Sequence, residues 1–113
     1  MCLITFAWNM HPKYKLILAA NRDEFYNRPT AKAAFWENQP EILGGKDLKA
    51  GGTWMTVHKN GRFAAVTNYR DLQHIREDVK SRGEIPTDFV NSNLSPEKFL
   101  QQLHDHSEEY NGF

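Results

Sequence analysis

The sequence predicts an α+β domain built mostly from antiparallel strands, and three observations predict it. Two pairs of short apolar runs, within residues 2–20 and 53–68, are each separated by turn-forming residues, which is typical of β-hairpins. Helical patterns follow after residue 85. The composition, 40% apolar and 12% aromatic, is that of a folded globular chain rather than a disordered one.

Length and charge limit the possible functions. A chain of 113 residues allows one domain with a modest core. Its 14 basic residues balance 14 acidic ones, so no overall field favours nucleic acid or an anionic membrane. The single cysteine excludes an internal disulfide and any CxxC motif. No apolar run approaches the ~18 residues of a membrane span, and no secretory signal is recognisable, so we expect a cytoplasmic location without membrane insertion.

The first predicted hairpin pairs residues 2–8 with residues 14–20. Neither run alternates cleanly between apolar and polar side chains, which predicts burial on both faces and a sheet placed between layers. A turn centred near His11 would place Cys2 opposite Ala20. The polar segment that follows the second strand should then emerge beside Cys2.

The middle of the chain predicts a short strand at residues 35–36 and a glycine-rich loop at 44–52. The glycine spacing of this loop does not match either phosphate-binding motif, so close backbone approach explains it as well. A second hairpin pairs 53–58 with 62–68 around an Asn-Gly turn. This pairing places Asn68 near the start of the first of these two strands.

The last third of the chain predicts a charged, mobile loop over 69–84, a short helix over 86–91 and a clearer helix capped by Ser95. Pro96 suits the first turn of that helix. Three apolar residues lie on one side of it: Phe99, Leu100 and Leu103.

Residues 108–113 end a helical pattern with a glycine stop signal and then begin another segment. We therefore expect residues 1–113 to be a single domain that forms the N-terminal half of a longer one.

Cys2 carries the most informative chemistry. If Met1 is removed, Cys2 presents a thiol and a free α-amine together. An α-amine has a pKa of about 7.7–8.0, so part of it is neutral base near pH 7. Such an amine can activate a neighbouring nucleophile without a histidine. The alternative interpretation is that Cys2 is a small buried apolar residue at the start of a strand.

Three further polar residues are candidates for the same site. Arg22 could favour a thiolate, and the Asp23 carboxylate could orient the α-amine. Asn68 could stabilise an oxyanion. The alternatives are an exposed salt bridge at a strand end for the first two and a turn-forming asparagine for the third.

The histidines do not predict a metal or cofactor site. His104 and His106 lie two positions apart and do not face the same side of a helix. The other three, His11, His58 and His74, have no ligand spacing. The three tryptophans, Trp8, Trp36 and Trp54, are interpreted as core or cleft-wall residues.

Several motifs occur in a fixed order: Met1-Cys2, Asn21–Tyr26 with Arg28–Thr30, Gly51–Trp54 and Asn60–Arg70. Together they resemble the NRDE family, also called the transport and Golgi organisation protein 2 family. The resemblance extends from residue 1 to about residue 70.

This resemblance implies the N-terminal part of a four-layer αββα sandwich, the fold of N-terminal-nucleophile hydrolases. The closest functional parallel is the cysteine-type group that includes penicillin V acylase and bile-salt hydrolase. It implies an amidohydrolase acting on a non-peptide carbon–nitrogen bond of a small molecule, with no cofactor. Cys2 would be the nucleophile, Asp23 the amine-orienting residue, Arg22 the thiolate neighbour and Asn68 an oxyanion donor. The expected substrate-binding residues are Asn21, Gly52, Trp54 and Tyr69.

The alternative function is a non-catalytic ligand carrier or trafficking factor on the same fold. The resemblance also implies roles in Golgi organisation, mitochondrial metabolism and haem trafficking. Cys2 or His58 could ligate haem iron, since thiolate and imidazole are both axial ligands.

Overall fold

The computed structural model describes residues 2–69, 71 and 73–113. It confirms the α+β class: six antiparallel strands form two sheets, and two α-helices follow. Met1, with its predicted removal, and Arg70 of the sequence motif lie outside the described residues. None of the helices in the described parts is long and apolar enough to cross a bilayer.

The first sheet is a hairpin of β1 (Leu3–Trp8) and β2 (Leu16–Asn21). The prediction that both faces of this hairpin are buried is wrong, because no residue of either strand is fully buried. Leu3 is 61% exposed and Phe6 is 66% exposed. A strand is buried on both faces only when layers cover both, and the helix that packs on a sheet, α1, covers the other sheet.

The predicted register of this hairpin is also wrong. Ala20 pairs with Ile4 instead of Cys2. The backbone N–H of Asn9 donates to the carbonyl of Lys15 at 2.8 Å, so the turn is longer than the predicted one. This longer turn moves the pairing by two residues along β1.

The second sheet has the order β3 (Thr30–Trp36), β4 (Gln39–Asp47), β5 (Met55–His58) and β6 (Phe63–Ala65), with each neighbouring pair antiparallel. The predicted short strand is therefore the end of a longer one, and β4 was not predicted.

Residues 44–52 do not form a continuous loop, because Gly44 and Gly45 belong to β4. The sequence gives only a weak signal for this strand. It begins with Gln39, Pro40 and Glu41, which are polar or disfavoured in sheets, and glycine has low strand propensity. Pairing with the strands on both sides overrides that propensity.

The second hairpin is confirmed, although its strands are shorter than predicted. Met55 pairs with Ala65, and Gly61 in the turn has φ of +88°, a conformation that L side chains rarely adopt. Beyond β6, the N–H of Val66 still donates to the carbonyl of Trp54 at 2.8 Å.

The two predicted helices are present as α1 (Glu84–Asn91) and α2 (Pro96–Asp105). The Ser95 hydroxyl accepts a hydrogen bond from the N–H of Lys98 at 3.3 Å, which is the predicted N-cap.

The core lies between the second sheet and the helices. Its two clusters are Trp36, Ile42 and Val90, and Val66, Ile85 and Tyr110. Phe99 and Leu103 pack against the second cluster, as their spacing predicts. Leu100 does not, because it is 60% exposed on α2.

The segment predicted as a charged loop is tied to the last residues of the chain. The Arg76 guanidinium donates to the carbonyl of Glu108 at 2.7 Å and also to the carbonyl of Tyr110. The Asn111 side chain exchanges two hydrogen bonds with the backbone of Arg76, at 3.0 and 2.8 Å. Lys80 forms an ion pair with Glu109. Residues 76–80 therefore hold a defined position through polar contacts.

Arg62 joins the second hairpin to the connection between the helices. Its guanidinium donates to the carbonyl of Leu94 at 2.7 Å and lies 4.1 Å from the ring centroid of Phe89. A planar guanidinium can stack on the ring and donate in its own plane at the same time, a geometry that a compact ammonium group does not reproduce.

We therefore expect Arg62→Lys to lower the free energy of unfolding by about 1–2 kcal/mol. Urea unfolding monitored by tryptophan fluorescence measures this. The control is Lys59→Gln, which removes an exposed ion pair with Glu41 and should cost less than about 1 kcal/mol. Equal losses in both variants would contradict the role assigned to Arg62.

Candidate functional site

A cleft of about 1150 Å³ lies between the two sheets. Leu16 and Leu18 of the hairpin line one wall. The other wall is formed by Leu43, Val57 and Phe63, which are paired across three neighbouring strands. Their side chains lie on the face of the second sheet that is turned away from α1. The cleft is a concave, largely apolar space of the kind that binds small molecules.

Cys2 reaches this cleft through the alternation of side chains in the hairpin. The observed register, continued by one residue beyond the Leu3–Asn21 pair, sets Cys2 opposite Arg22. Both residues line the cleft, and the Cys2 thiol is free and partly buried. Asn21 lies one position earlier in the strand, so it belongs to the opposite face and is outside the cleft lining.

Arg22 and Asp23 both line the cleft even though they are consecutive. In a continuing strand they would point to opposite faces, but β2 ends at Asn21. The Arg22 guanidinium donates to the Glu24 carboxylate at 2.9 Å. The second carboxylate oxygen of Glu24 accepts the N–H of Phe25 at 3.0 Å, which holds the segment in a local turn.

A bidentate ion pair fixes this polar segment to the second sheet. Arg28 donates to the carboxylate of Asp47 through Nε and Nη2, with Nε at 3.2 and 3.0 Å from the two oxygens and Nη2 at 2.7 Å from one. One Asp47 oxygen also accepts the N–H groups of Lys49 and Ala50, at 2.9 and 3.1 Å. Asp47 thus organises the turn after β4 as well.

The charged state of Asp47 is favoured by these contacts. Burial alone would raise its pKa, but the hydrogen bonds from Arg28, Ala50 and Lys49 outweigh burial and hold the pKa below the ordinary value of 3.8. The pKa of Arg28 is raised, chiefly by its hydrogen bond to Asp47.

Trp54, Asn68 and Tyr69 line the cleft from the side of the second sheet. The N–H of Tyr69 donates to the carbonyl of Gly112 at 3.1 Å, so the end of the chain helps to position this wall. The cleft therefore contains six of the predicted site residues: Cys2, Arg22, Asp23, Trp54, Asn68 and Tyr69. A thiol can serve as a nucleophile, a carboxylate can orient a base and an amide can stabilise an oxyanion, so the lining includes groups that nucleophilic acyl transfer can use.

Gly52 lies outside the cleft lining and has a packing role. A Cβ at this position would lie 2.4 Å from the carbonyl oxygen of Gly83. The neighbouring Thr53 donates its N–H to the same oxygen at 2.9 Å. Gly52 thus lets the backbone before β5 approach the start of α1.

Arg82 lines the cleft and was not predicted. It precedes α1, and its Nη1 donates to the carbonyl of Gly112 at 2.6 Å. Burial lowers the pKa of its guanidinium, and the nearby charge of Glu24 acts in the opposite direction. The sequence shows a polar Ser81-Arg82-Gly83 run just before a predicted helix. It does not show that tertiary contacts bring this run to the cleft.

His58, considered above as a haem ligand, lies outside the cleft lining at the end of β5. Its Nδ1 accepts the N–H of Asn60 at 3.1 Å. Within the described ranges, no group of three or more His, Cys, Asp or Glu side chains is arranged to hold a metal ion.

The whole chain, residues 1–113, matches the family described as transport and Golgi organisation 2. It is 45% identical over 121 residues to the mouse "Transport and Golgi organization 2 homolog", covering 100% of this chain and 43% of that protein. The human homolog is 42% identical over 120 residues with the same coverage. The Drosophila melanogaster protein is 40% identical over 98 residues, covering 80% of this chain and 35% of that protein. The chain thus spans less than half the length of these curated relatives.

The lowered pKa of Asp47 predicts a pH-dependent contribution to stability. Because the pKa is lowered on folding, the stabilisation is fully present above pH 3.8 and is lost as the pH falls through the folded-state value. We expect Asp47→Asn to lower the free energy of unfolding by about 2 kcal/mol at pH 7. The difference from wild type should narrow as the pH falls below 3.8.

Urea unfolding of both proteins between neutral and acidic pH measures this difference. Glu37→Gln, which changes an exposed carboxyl in the β3–β4 turn, is the control and should behave as wild type. A pH-independent difference between Asp47→Asn and wild type would rule out the ionised pair as the source of the stabilisation.

Proposed function

The chain belongs to the transport and Golgi organisation 2 family, and we propose that it is an amidohydrolase of the N-terminal-nucleophile type. It acts on a non-peptide carbon–nitrogen bond, with Cys2 as nucleophile after removal of Met1. The observation that supports this proposal is the single cleft that Cys2, Arg22, Asp23 and Asn68 line together.

In the proposed reaction the α-amine of Cys2 takes the proton of the thiol, and the thiolate attacks the amide carbonyl carbon. The Asn68 amide donates to the oxyanion of the tetrahedral intermediate. Collapse of the intermediate breaks the carbon–nitrogen bond, and the leaving nitrogen takes the proton from the α-amine. Water, activated by the same amine, then hydrolyses the thioester and releases the acid.

Two charged residues assist this sequence. Asp23 accepts a hydrogen bond from the α-amine and directs its lone pair toward the sulfur, which is a positioning role. Arg22 lies opposite Cys2 in the hairpin register and favours the anionic nucleophile, while its ion pair with Glu24 holds the guanidinium in place.

The substrate lies between the apolar walls of the cleft, in contact with Trp54 and Tyr69. We further propose that the two sheets and α1 form three layers of the four-layer αββα sandwich. The chain covers 43% of the mouse and human relatives.

The proposed mechanism makes a prediction about the N-terminus. Intact-mass measurement of the purified protein should show a chain that lacks Met1, and iodoacetamide should alkylate Cys2. A variant with one extra N-terminal residue that is not removed keeps the thiol but loses the free amine of Cys2. We expect this variant to lose all hydrolysis of a panel of small N-acyl anilides.

An intact Met1, or equal hydrolysis by the extended variant, would contradict the mechanism. A carrier would instead bind its ligand regardless of the free amine. A spectral shift on haem titration under reducing conditions, without any hydrolysis, would favour the carrier.

The proposed mechanism also makes a prediction about Asn68. Asn68→Ala should lower kcat by about 10²-fold or more with little change in KM, because the oxyanion forms only in the transition state. Asn91→Ala is the matched control, since Asn91 lies at the end of α1 and its amide donates to Gln39. A fall in kcat of the same size in the control would contradict the role of Asn68.

A further inference from the structure

Most of the cations that line the cleft have a charged or aromatic partner. Four cations and four acids contribute to the lining: Arg22, Arg28, Lys46 and Arg82, and Asp23, Glu24, Asp47 and Asp71. Two pairs are direct ion pairs, Arg22 with Glu24 and Arg28 with Asp47. These pairs leave Lys46 and Arg82 as the cations to account for.

The ammonium group of Lys46 contacts an aromatic side chain. Its ammonium group lies 4.7 Å from the centroid of the Trp36 side chain, a cation–π contact. Asp71 is engaged by His74, whose Nδ1 lies 2.8 Å from the carboxylate.

Arg82 differs from the other cations of the lining. Within the part of the chain that the structure describes, its guanidinium bonds to a backbone carbonyl, that of Gly112, and forms no ion pair with a carboxylate. The remaining N–H donors of the fork are available to a ligand in the cleft. Glu24 acts on this guanidinium through its nearby charge and not by direct contact, so a carboxylate of a ligand can still form a charge-assisted hydrogen bond with it.

The backbone on both sides of Arg82 is fixed. Its own carbonyl accepts the N–H of Ile85 at 3.2 Å, and the carbonyl of Gly83 accepts the N–H of Thr53 at 2.9 Å. With the Gly112 contact, these bonds hold the guanidinium at the cleft before any ligand arrives, which reduces the entropy lost on binding.

We propose that Arg82 binds a carboxylate of the substrate and so selects small amides that carry an acidic group, such as N-acyl amino acids. One guanidinium fork matches the two oxygens of a carboxylate. This inference rests on the proposed function for the reaction that follows binding, but the anion site is testable without turnover.

The experiment measures equilibrium binding to the Cys2→Ala variant, which cannot form the thioester. The probes are N-acylglycines of increasing acyl length, each paired with its neutral glycinamide. We expect the acid of a pair to bind at least about tenfold more tightly than its amide. Adding Arg82→Gln should abolish this preference, and adding Arg82→Lys should retain part of it, since the charge remains without the fork.

The matched control is Arg76→Gln, because Arg76 also donates to carbonyls near the end of the chain but lies outside the cleft lining. It should keep the full preference for the acids. Should Arg82→Gln fail to fold, as judged by circular dichroism, the Arg82→Lys variant supplies the comparison. Absence of any acid preference, its persistence in Arg82→Gln, or its equal loss in Arg76→Gln would overturn the proposal.

A hydrolysis assay of wild type on the same compounds separates the two proposals. If the acid preference depends on Arg82 but nothing is hydrolysed, the hydrolase function fails and the anion site stands. If acids and amides are hydrolysed equally well, the anion site fails and the hydrolase function stands.

Discussion

The bidentate ion pair between Arg28 and Asp47 fixes the polar segment of the candidate site to the second sheet. The first hairpin packs little against the second sheet directly, so its position depends on the connection that follows it. That connection is fixed by the ion pair and by the hydrogen bond from the N–H of Leu48 to the carbonyl of Pro29 at 3.0 Å. Arg22 and Asp23 precede this anchor by a few residues and are carried to the cleft by it.

Hydrogen bonds to backbone carbonyls help to hold the end of the chain in place, next to a small hydrophobic core. The two buried clusters contain three residues each, all on the side of the second sheet that faces the helices. The other side of that sheet faces the cleft. Arg82 holds Gly112 at the cleft, whereas Arg76 holds Glu108 and Tyr110 outside its lining. An arrangement of this kind gives the cleft a defined shape without filling it.

The sequence predicted the features that depend on neighbours in the chain. The Asn-Gly turn, the cap at Ser95 and both helices are local, and the structure contains all of them. The first hairpin was found, but its register depended on the hydrogen bond that closes the turn, which composition does not reveal. β4 was missed because pairing on both sides overrides its poor propensity.

The candidate site shows the same division. Cys2 was predicted to lie opposite Ala20, whereas the observed register, continued by one residue, sets it opposite Arg22, and both residues line the cleft. Arg82 was not predicted, since its segment reaches the cleft only through contacts with residues some thirty positions later. Burial on both faces of the hairpin failed for a related reason: apolar sequence indicates what a strand can bury, not which layers are present to cover it.

The close approach of Gly52 to Gly83 fixes the backbone next to Arg82. A methyl group at position 52 would collide with a backbone oxygen rather than with a movable side chain, so the start of α1 would have to shift. Arg82 immediately precedes that point and would shift with it. A buried glycine outside the cleft lining therefore fixes the position of the guanidinium that we propose as the anion-binding group, and a larger residue there is expected to displace it.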